Sequence, residues 1–211
     1  MDKEIIRISS DLKQYLSSLF VKAGILPWFL GIALITFSVA SDNFLTPANI
    51  VGVARHSTDL ILVAMAQMIV MLTAGLDFSV GVILAMTSVV ASMTMVALWS
   101  GYGSGWEAIT IGCLAGLLVG ACIGMVNGVG VAFFRVPPFI MTLGMSSIIF
   151  GLALTITGGI PVYGAPESFT NIVGYGTLFG LSITIWITLF CILLIYIFIN
   201  LTKMGLSLIH I

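Results

Sequence analysis

Long apolar runs separated by short polar stretches dominate the pattern along the chain. Each run is apolar on all faces, without the alternation of period two that membrane β-strands show. A helix needs roughly 20 apolar residues to cross the hydrocarbon core of a bilayer. The pattern therefore predicts about six transmembrane helices, at residues 25–41, 60–74, 79–99, 109–134, 139–157 and 178–201.

Composition leads to the same class of protein. Hydrophobic residues make up 60% of the 211 residues, and charged residues make up 7%. An average soluble domain carries about 25% charged residues, so this chain lacks the charge that a water-facing surface needs. We predict an all-α integral membrane protein.

The distribution of basic residues predicts an orientation, because short cytoplasmic loops carry an excess of Lys and Arg. Placing the N-terminal segment 1–22 in the cytoplasm brings Arg135 and Lys203 to the same side. The opposite loops, of which 158–177 is the longest, contain no Lys or Arg, and Arg55 is the exception. The segment 1–22 is predicted either to lie on the membrane surface as a loosely amphipathic stretch or to be a solvated polar tail.

The sequence lacks the residues that several functional classes of protein require. The net charge of −1 argues against a nucleic-acid partner, which needs clustered Lys and Arg. The sequence has no Gly-rich phosphate loop, no catalytic nucleophile–base pair and no metal-ligand cluster, so we predict no ATP hydrolysis, no metal and no cofactor. Proton-coupled transport usually relies on several intramembrane carboxylates and histidines, and that set is missing too.

Asp77 is the most unusual residue, because it is the only charged side chain between residues 60 and 106. One interpretation is a helix cap, in which Asp77 or Ser79 accepts hydrogen bonds from the free N–H groups opening the third helix. Gly75 and Gly81 would then allow the tight turn. The other is a polar group at a helix break that orients a substrate or a gate. The two roles are compatible.

The fourth predicted helix carries glycines at an unbroken spacing of four. Such a stripe lets a neighbouring helix approach closely, and predicts helix packing at Gly112, Gly116, Gly120, Gly124 and Gly128. Asn127, near its end, is predicted to form a helix–helix hydrogen bond or to contact a ligand. Gln67 and Thr142 are further candidates, since a neutral, hydroxyl-rich cargo is matched by uncharged polar groups, although hydroxyls also bond to their own helix.

Ordered motifs resemble one family. Residues 75–81 (Gly-Leu-Asp-Phe-Ser-Val-Gly) are similar to the most characteristic motif of ribose-type ABC importer permeases, with Ala74 in place of its usual first glycine. Other segments follow in the family's order over about residues 43–205: 43–50 (Asn-Phe-Leu-Thr-Pro-Ala-Asn-Ile), Asn127-Gly128, 137–145 (Pro-Pro-Phe-Ile-Met-Thr-Leu-Gly-Met), and Gly151-Leu152-Ala153 through Thr157-Gly158-Gly159.

The resemblance implies a permease subunit in the bacterial inner membrane that forms the path for a sugar or similar small polar solute. It implies three partners: a second permease subunit, cytoplasmic ATP-binding subunits and a periplasmic solute-binding protein near residues 158–168. The alternatives are a secondary transporter or channel that works without ATP, and a membrane fragment without transport activity.

The chain departs from the family pattern after Gly205. We therefore expect a partial transmembrane domain at residues 23–205, and hypothesise that the gene product is truncated with a non-native tail at residues 206–211. His210 is assigned no function.

Overall fold

The computed structural model describes residues 24–102 and 105–209. Within these ranges the main helices are α1 (Leu26–Ala40), α2 (Pro47–Leu72), α3 (Val80–Tyr102), α4 (Gly105–Ala132) and α5 (Pro138–Thr157). The short helix α6 (Glu167–Phe169), the β-strands β1 (Thr177–Leu178) and β2 (Leu181–Ser182), and the helices α7 (Ile183–Leu201) and α8 (Lys203–Ile209) follow. The chain divides into two compact units, residues 1–53 and 54–211, and α2 begins in the first and continues in the second. The predicted segment 1–22 lies outside the described residues.

The prediction of an all-α membrane protein is confirmed, and the first of the six predicted spans forms a shorter apolar helix than the others. Among the described residues, five helices are long and apolar enough to cross a membrane: α2, α3, α4, α5 and α7. The first predicted span is α1, which has 15 residues. At 1.5 Å per residue α1 is about 22 Å long, whereas the hydrocarbon core is about 30 Å thick.

The second predicted span was too short. Residues 60–74 were predicted, whereas α2 runs over 26 residues from Pro47. Arg55, His56 and Asp59 interrupt the apolar run but do not interrupt the helix. Hydropathy locates the most apolar part of a helix, while the helix itself ends where the backbone hydrogen bonds end.

The start of α2 has a well-defined cap within the first unit. The hydroxyl of Thr46 accepts a hydrogen bond from the N–H of Asn49 at 3.4 Å, and Pro47 occupies the first helical position, where a missing N–H costs nothing. The side chain of Asn49 donates back to the carbonyl of Phe44 at 2.7 Å. Residues 43–50, whose order pointed to a permease family, therefore form a helix start.

In the second unit α3, α4 and α5 pack around one buried cluster. Met86, Ile123, Ile149 and Ala153 form its centre. The glycine stripe supports this packing over its first half: a Cβ at Gly116 would lie 3.0 Å from the carbonyl oxygen of Thr87. At Gly112 a Cβ would lie 2.8 Å from the carbonyl oxygen of Ala91, and at Gly120 it would lie 3.0 Å from the Thr87 methyl group. The backbone of α4 therefore lies directly against α3.

The second half of the glycine stripe has different surroundings. A Cβ at Gly124 or Gly128 would meet no atom of the described chain within 4 Å. The described chain therefore offers no neighbour at these two glycines, and the packing predicted for them stays a prediction. The two glycines instead border a cleft.

The segment between α5 and α7 contains more secondary structure than the predicted loop. After α5 it contains α6, a π-helical turn at Thr170–Gly174 and the hairpin of β1 and β2. Phe179 and Gly180 connect the strands with φ of 52° and 79°, as a two-residue turn of type I′ requires. The last span was predicted at residues 178–201, whereas the helix begins five residues later, at Ile183.

Candidate functional site

The loop between α2 and α3 begins with a left-handed residue at Ala74. The N–H of Ala74 donates to the carbonyl of Met71 at 3.0 Å, and the N–H of Gly75 donates to that of Val70 at 3.2 Å. This pair of bonds is a Schellman motif, which calls for a left-handed residue and favours glycine. The φ of Ala74 is 55°. The left-handed residue of the tight turn is therefore Ala74, and neither Gly75 nor Gly81 has a positive φ.

We expect Ala74→Gly to stabilise the protein. A left-handed conformation costs a residue with a Cβ about 1–2 kcal/mol, and part of this gain is lost because glycine makes the unfolded chain more flexible. The free energy of unfolding in detergent should rise by about 1 kcal/mol.

Ala115→Gly, in the interior of α4, is the matched control for Ala74→Gly. It should lower the free energy of unfolding by about 1 kcal/mol. Equal losses in both variants would contradict the interpretation of Ala74.

Asp77 and Ser79 form a compact turn before α3. One carboxylate oxygen of Asp77, Oδ1, accepts hydrogen bonds from the N–H of Ser79 at 2.7 Å and from its hydroxyl at 2.5 Å. Ser79 is fully buried, with 0% of its surface exposed. Since α3 begins at Val80, these bonds fix the position of the residue directly before the helix, and the predicted cap stays a prediction.

Asn127 completes a chain of hydrogen bonds with this turn. Its Nδ2 donates to the Ser79 hydroxyl oxygen at 2.8 Å. The direction follows from Ser79, whose hydroxyl proton points to the carboxylate, so its oxygen must accept. The amide oxygen Oδ1 of Asn127 is buried and finds no partner in the described chain. A buried acceptor of this kind usually has a partner.

Side chains from α2 and α5 hold the backbone of the same loop. Gln67 on α2, with its amide oriented to match its neighbours, donates to the carbonyl of Asp77 at 3.0 Å and accepts from its N–H at 3.2 Å. Thr142 on α5 accepts from the N–H of Phe78 at 3.2 Å, and Ser146 donates to the carbonyl of Phe78 at 3.0 Å. Gln67, Asp77, Ser79, Asn127 and Thr142, singled out separately, thus all lie on or against one loop.

A cleft of about 380 Å³ opens beside this loop. Asp77, Asn127 and Thr142 contribute to its wall, and the remaining lining is mostly apolar, with Gly124 and Gly128 along the α4 side. The volume lies in the range of small-molecule sites, about 300–1,000 Å³. The arrangement can hold a small, largely uncharged solute.

Two features of this site were missed from the sequence. Ser146 was not singled out among the site residues, although its spacing of four from Thr142 places both on one face of α5. The cleft-lining role of Gly124 and Gly128 carried no signal, because their spacing is the same as that of the packing glycines. Among the described residues no group of three or more His, Cys, Asp or Glu side chains can hold a metal ion.

Comparison with known families gives a match over most of the chain. The family described as the permease component of the branched-chain amino acid transport system matches residues 49–211. The chain belongs to this permease family. The match includes residues 206–211, and their separate assignment as a non-native tail stays a prediction. With five apolar helices of spanning length, the permease is a multi-pass membrane protein.

Curated relatives of this permease carry names from sugar and signal-molecule transport. The chain is 34% identical over 165 residues to the L-arabinose ABC transporter permease protein AraH of Azospirillum brasilense, covering 78% of this chain and 46% of AraH. It is 30% identical over 168 residues to the D-allose transport system permease protein AlsC of Escherichia coli, covering 80% of this chain and 49% of AlsC.

A third relative is the autoinducer 2 import system permease protein LsrC of Escherichia coli. It is 34% identical over 147 residues, which are 70% of this chain and 40% of LsrC. The permease therefore spans about half the length of the curated relatives that it matches. No solved structure matches the chain.

Proposed function

We propose that the chain is a transmembrane subunit of an ABC importer for a sugar or a similar small polar solute. The observation that carries this proposal is the 34% identity to an L-arabinose permease over 78% of the chain. The cleft beside Asp77 supports it, because the cleft combines polar groups without a basic side chain and walls suited to the apolar face of a sugar ring.

The proposed assembly has four kinds of component. A second permease subunit, identical or different, completes the path, cytoplasmic ATP-binding subunits hydrolyse ATP, and a periplasmic solute-binding protein delivers the cargo. This chain itself catalyses no reaction in this proposal. The relatives' names as transport permease proteins support this division of labour.

The proposed location is the bacterial inner membrane, with Arg135 and Lys203 in the cytoplasm. The segment 1–22 then lies in the cytoplasm if α1 crosses the membrane. Arg55, the exception to the positive-inside pattern, has its guanidinium 5.5 Å from the ring centroid of Tyr175. A cation over an aromatic ring is stabilised on either side of a membrane, so this contact is compatible with Arg55 on the outer side.

Within the path, the roles of the site residues follow from their exposure and bonding. Asp77 is half-buried and borders the cleft, so we assign it to the path. Ser79 is fully buried and bonded on both sides, and Gln67 and Thr142 bond the loop backbone. These three position Asp77. The cleft lies about 8 Å inside the cytoplasmic end of α4, since Asn127 is five residues before Ala132.

Uptake by vesicles tests the proposal. The chain is expressed with the ATPase and solute-binding protein encoded nearest its gene, and uptake of radiolabelled L-arabinose and D-allose is measured with and without ATP inside the vesicles. We expect uptake that requires ATP and the binding protein. Equal uptake without ATP would favour a secondary transporter or channel, and uptake that does not need the binding protein would contradict the proposal.

A further inference from the structure

We propose that the hairpin of β1 and β2 is a lipid-binding element, and that the side chain of Phe179 at its tip inserts into the bilayer where the headgroups meet the acyl chains. The exposure of the hairpin, its place beside a spanning helix and the absence of charge around it all point to lipid as its partner. This role is independent of the proposed transport function.

The tip of the hairpin exposes a large apolar side chain in an unfavourable backbone conformation. Phe179 is 88% exposed, and its φ of 52° is uncommon for a bulky residue. Asn, Asp or Gly is the usual residue at this position of a type I′ turn. A conformational cost of this kind persists where the surroundings favour the side chain, and apolar surroundings favour a phenylalanine ring.

The hairpin lies directly at the end of a spanning helix. Ser182 ends β2 and Ile183 begins α7. The 19 residues of α7 extend about 28 Å, close to the hydrocarbon thickness of about 30 Å. Each strand has two residues, which extend about 7 Å. When α7 crosses the bilayer, the tip therefore stays within about 10 Å of the hydrocarbon boundary.

Trp186 connects the tip to the first turn of α7. Its indole Nε1 donates to the carbonyl of Leu178 at 3.1 Å, and its ring centroid lies 6.3 Å from that of Phe179 in an edge-to-face arrangement. Tryptophan is enriched at the membrane–water interface, where its N–H still needs a partner. The hairpin backbone supplies that partner. The tip therefore folds back toward α7 instead of extending away from the membrane.

The sequence around the hairpin carries no charge. No Asp, Glu, Lys or Arg occurs between Glu167 and Lys203. The two strands pair with each other, so the hairpin satisfies backbone groups that lipid cannot satisfy. A docking surface for a soluble protein has a polar rim in water, where charged residues are common. Lipid needs no such rim.

Arg55 on α2 indicates the same level of the membrane. Its guanidinium lies 5.5 Å from the ring centroid of Tyr175, two residues before β1. Residues 55–72 of α2 extend about 26 Å, which is again close to the hydrocarbon thickness. Long basic side chains and aromatic rings are typical of the headgroup region. Two helices thus place a membrane boundary next to the hairpin.

Spin labels on the full chain in phosphatidylcholine nanodiscs test the contact with lipid. The nitroxide is attached at Phe179→Cys after the native cysteines are changed to alanine (Cys113, Cys122 and Cys191). Relaxation by oxygen, which concentrates in lipid, is compared with relaxation by a water-soluble nickel complex. Phe190→Cys, exposed within α7, is the reference for lipid, and Glu167→Cys, exposed and charged in the parent, is the reference for water.

We expect the ratio of oxygen to nickel relaxation at position 179 to exceed that at position 167 by about threefold or more. Equal ratios at these two positions, in a chain whose elution volume matches that of the parent, would overturn the proposal.

A second label keeps the phenylalanine in place. With the nitroxide at Thr177→Cys, on the exposed side of β1, the further change Phe179→Asn suits the turn but removes the apolar side chain. The nickel accessibility at position 177 should then rise by about threefold. Phe179→Leu keeps an apolar side chain and should leave this accessibility unchanged. An equal rise in both variants, or a rise in neither, would contradict insertion of this side chain.

The solute-binding protein of the proposed importer is the alternative occupant. A label at position 179 that is open to nickel in nanodiscs alone, and protected when this protein is added, would assign the hairpin to a soluble partner and reject the lipid role. Protection in nanodiscs alone that the added protein leaves unchanged would support it. Neither result requires uptake, so a failure of the importer proposal is distinguishable from a failure of this one.

Discussion

Replacing Gly112 with leucine should nearly abolish the yield of folded protein. A Cβ at this position would lie 2.8 Å from the carbonyl oxygen of Ala91 and against the side chain of Met95. Ala91 belongs to the backbone of α3, so the contact cannot be relieved by a change of rotamer. Overpacking of this kind costs about 3 kcal/mol, the upper part of the usual range. The measurement is the monodisperse fraction in detergent by size-exclusion chromatography.

Gly144→Leu is the matched control for Gly112→Leu. Gly144 lies within α5, and a Cβ there meets no described atom within 4 Å. Both variants add the same side chain to a helix interior, so helix propensity cancels in the comparison. A yield of Gly112→Leu equal to that of Gly144→Leu would show that α3 and α4 do not pack closely at this glycine.

Removing the hydroxyl of Ser79 should lower the free energy of unfolding by about 3 kcal/mol. Ser79→Ala takes the hydrogen-bond acceptor from Asn127 Nδ2 and one of two donors from Asp77. Each buried group left unpaired costs about 1–3 kcal/mol. The measurement is thermal or denaturant unfolding of the purified chain in detergent, followed by circular dichroism.

The control for Ser79→Ala is Ser147→Ala. The Ser147 hydroxyl is exposed and donates to the carbonyl of Leu143 in its own helix at 3.3 Å, so its loss should change the free energy of unfolding by less than about 0.5 kcal/mol. A double-mutant cycle with Asn127→Leu tests the hydrogen bond between Ser79 and Asn127 directly. The double variant Ser79→Ala/Asn127→Leu should lose less than the sum of the two single losses, and strict additivity would contradict the bond between the two side chains.

Hydropathy predicted the class of fold but not the extent of its helices. The apolar run of 60–74 marks the most hydrophobic part of α2, yet the helix starts at Pro47. Its true beginning was readable from Thr46-Pro47, a good N-cap followed by proline. The opposite error occurred at the last span, where β1 and β2 are apolar enough to be taken for helix.

Within the site, residue types indicated which side chains belong to it, but the sequence did not indicate which of them contact one another. Rarity of charge identified Asp77, and amides or hydroxyls in apolar helices identified Gln67, Asn127 and Thr142. Their arrangement around one loop depends on how three helices pack, over sequence separations such as the 48 positions from Ser79 to Asn127. The sequence also showed no sign that Ala74 is strained, because alanine is an ordinary residue and only its φ of 55° makes it unusual.

The loop between Thr73 and Ser79 is held by helices on several sides. Gln67 bonds it from α2, Asn127 from α4 and Thr142 from α5. Any sliding of one of these helices therefore either carries the loop along or breaks its bond. The loop connects the helices mechanically. A displacement of α5 near Thr142 would reach the carboxylate of Asp77 through one hydroxyl and one peptide group. A transporter that reorients its path would move this acid as part of that same step.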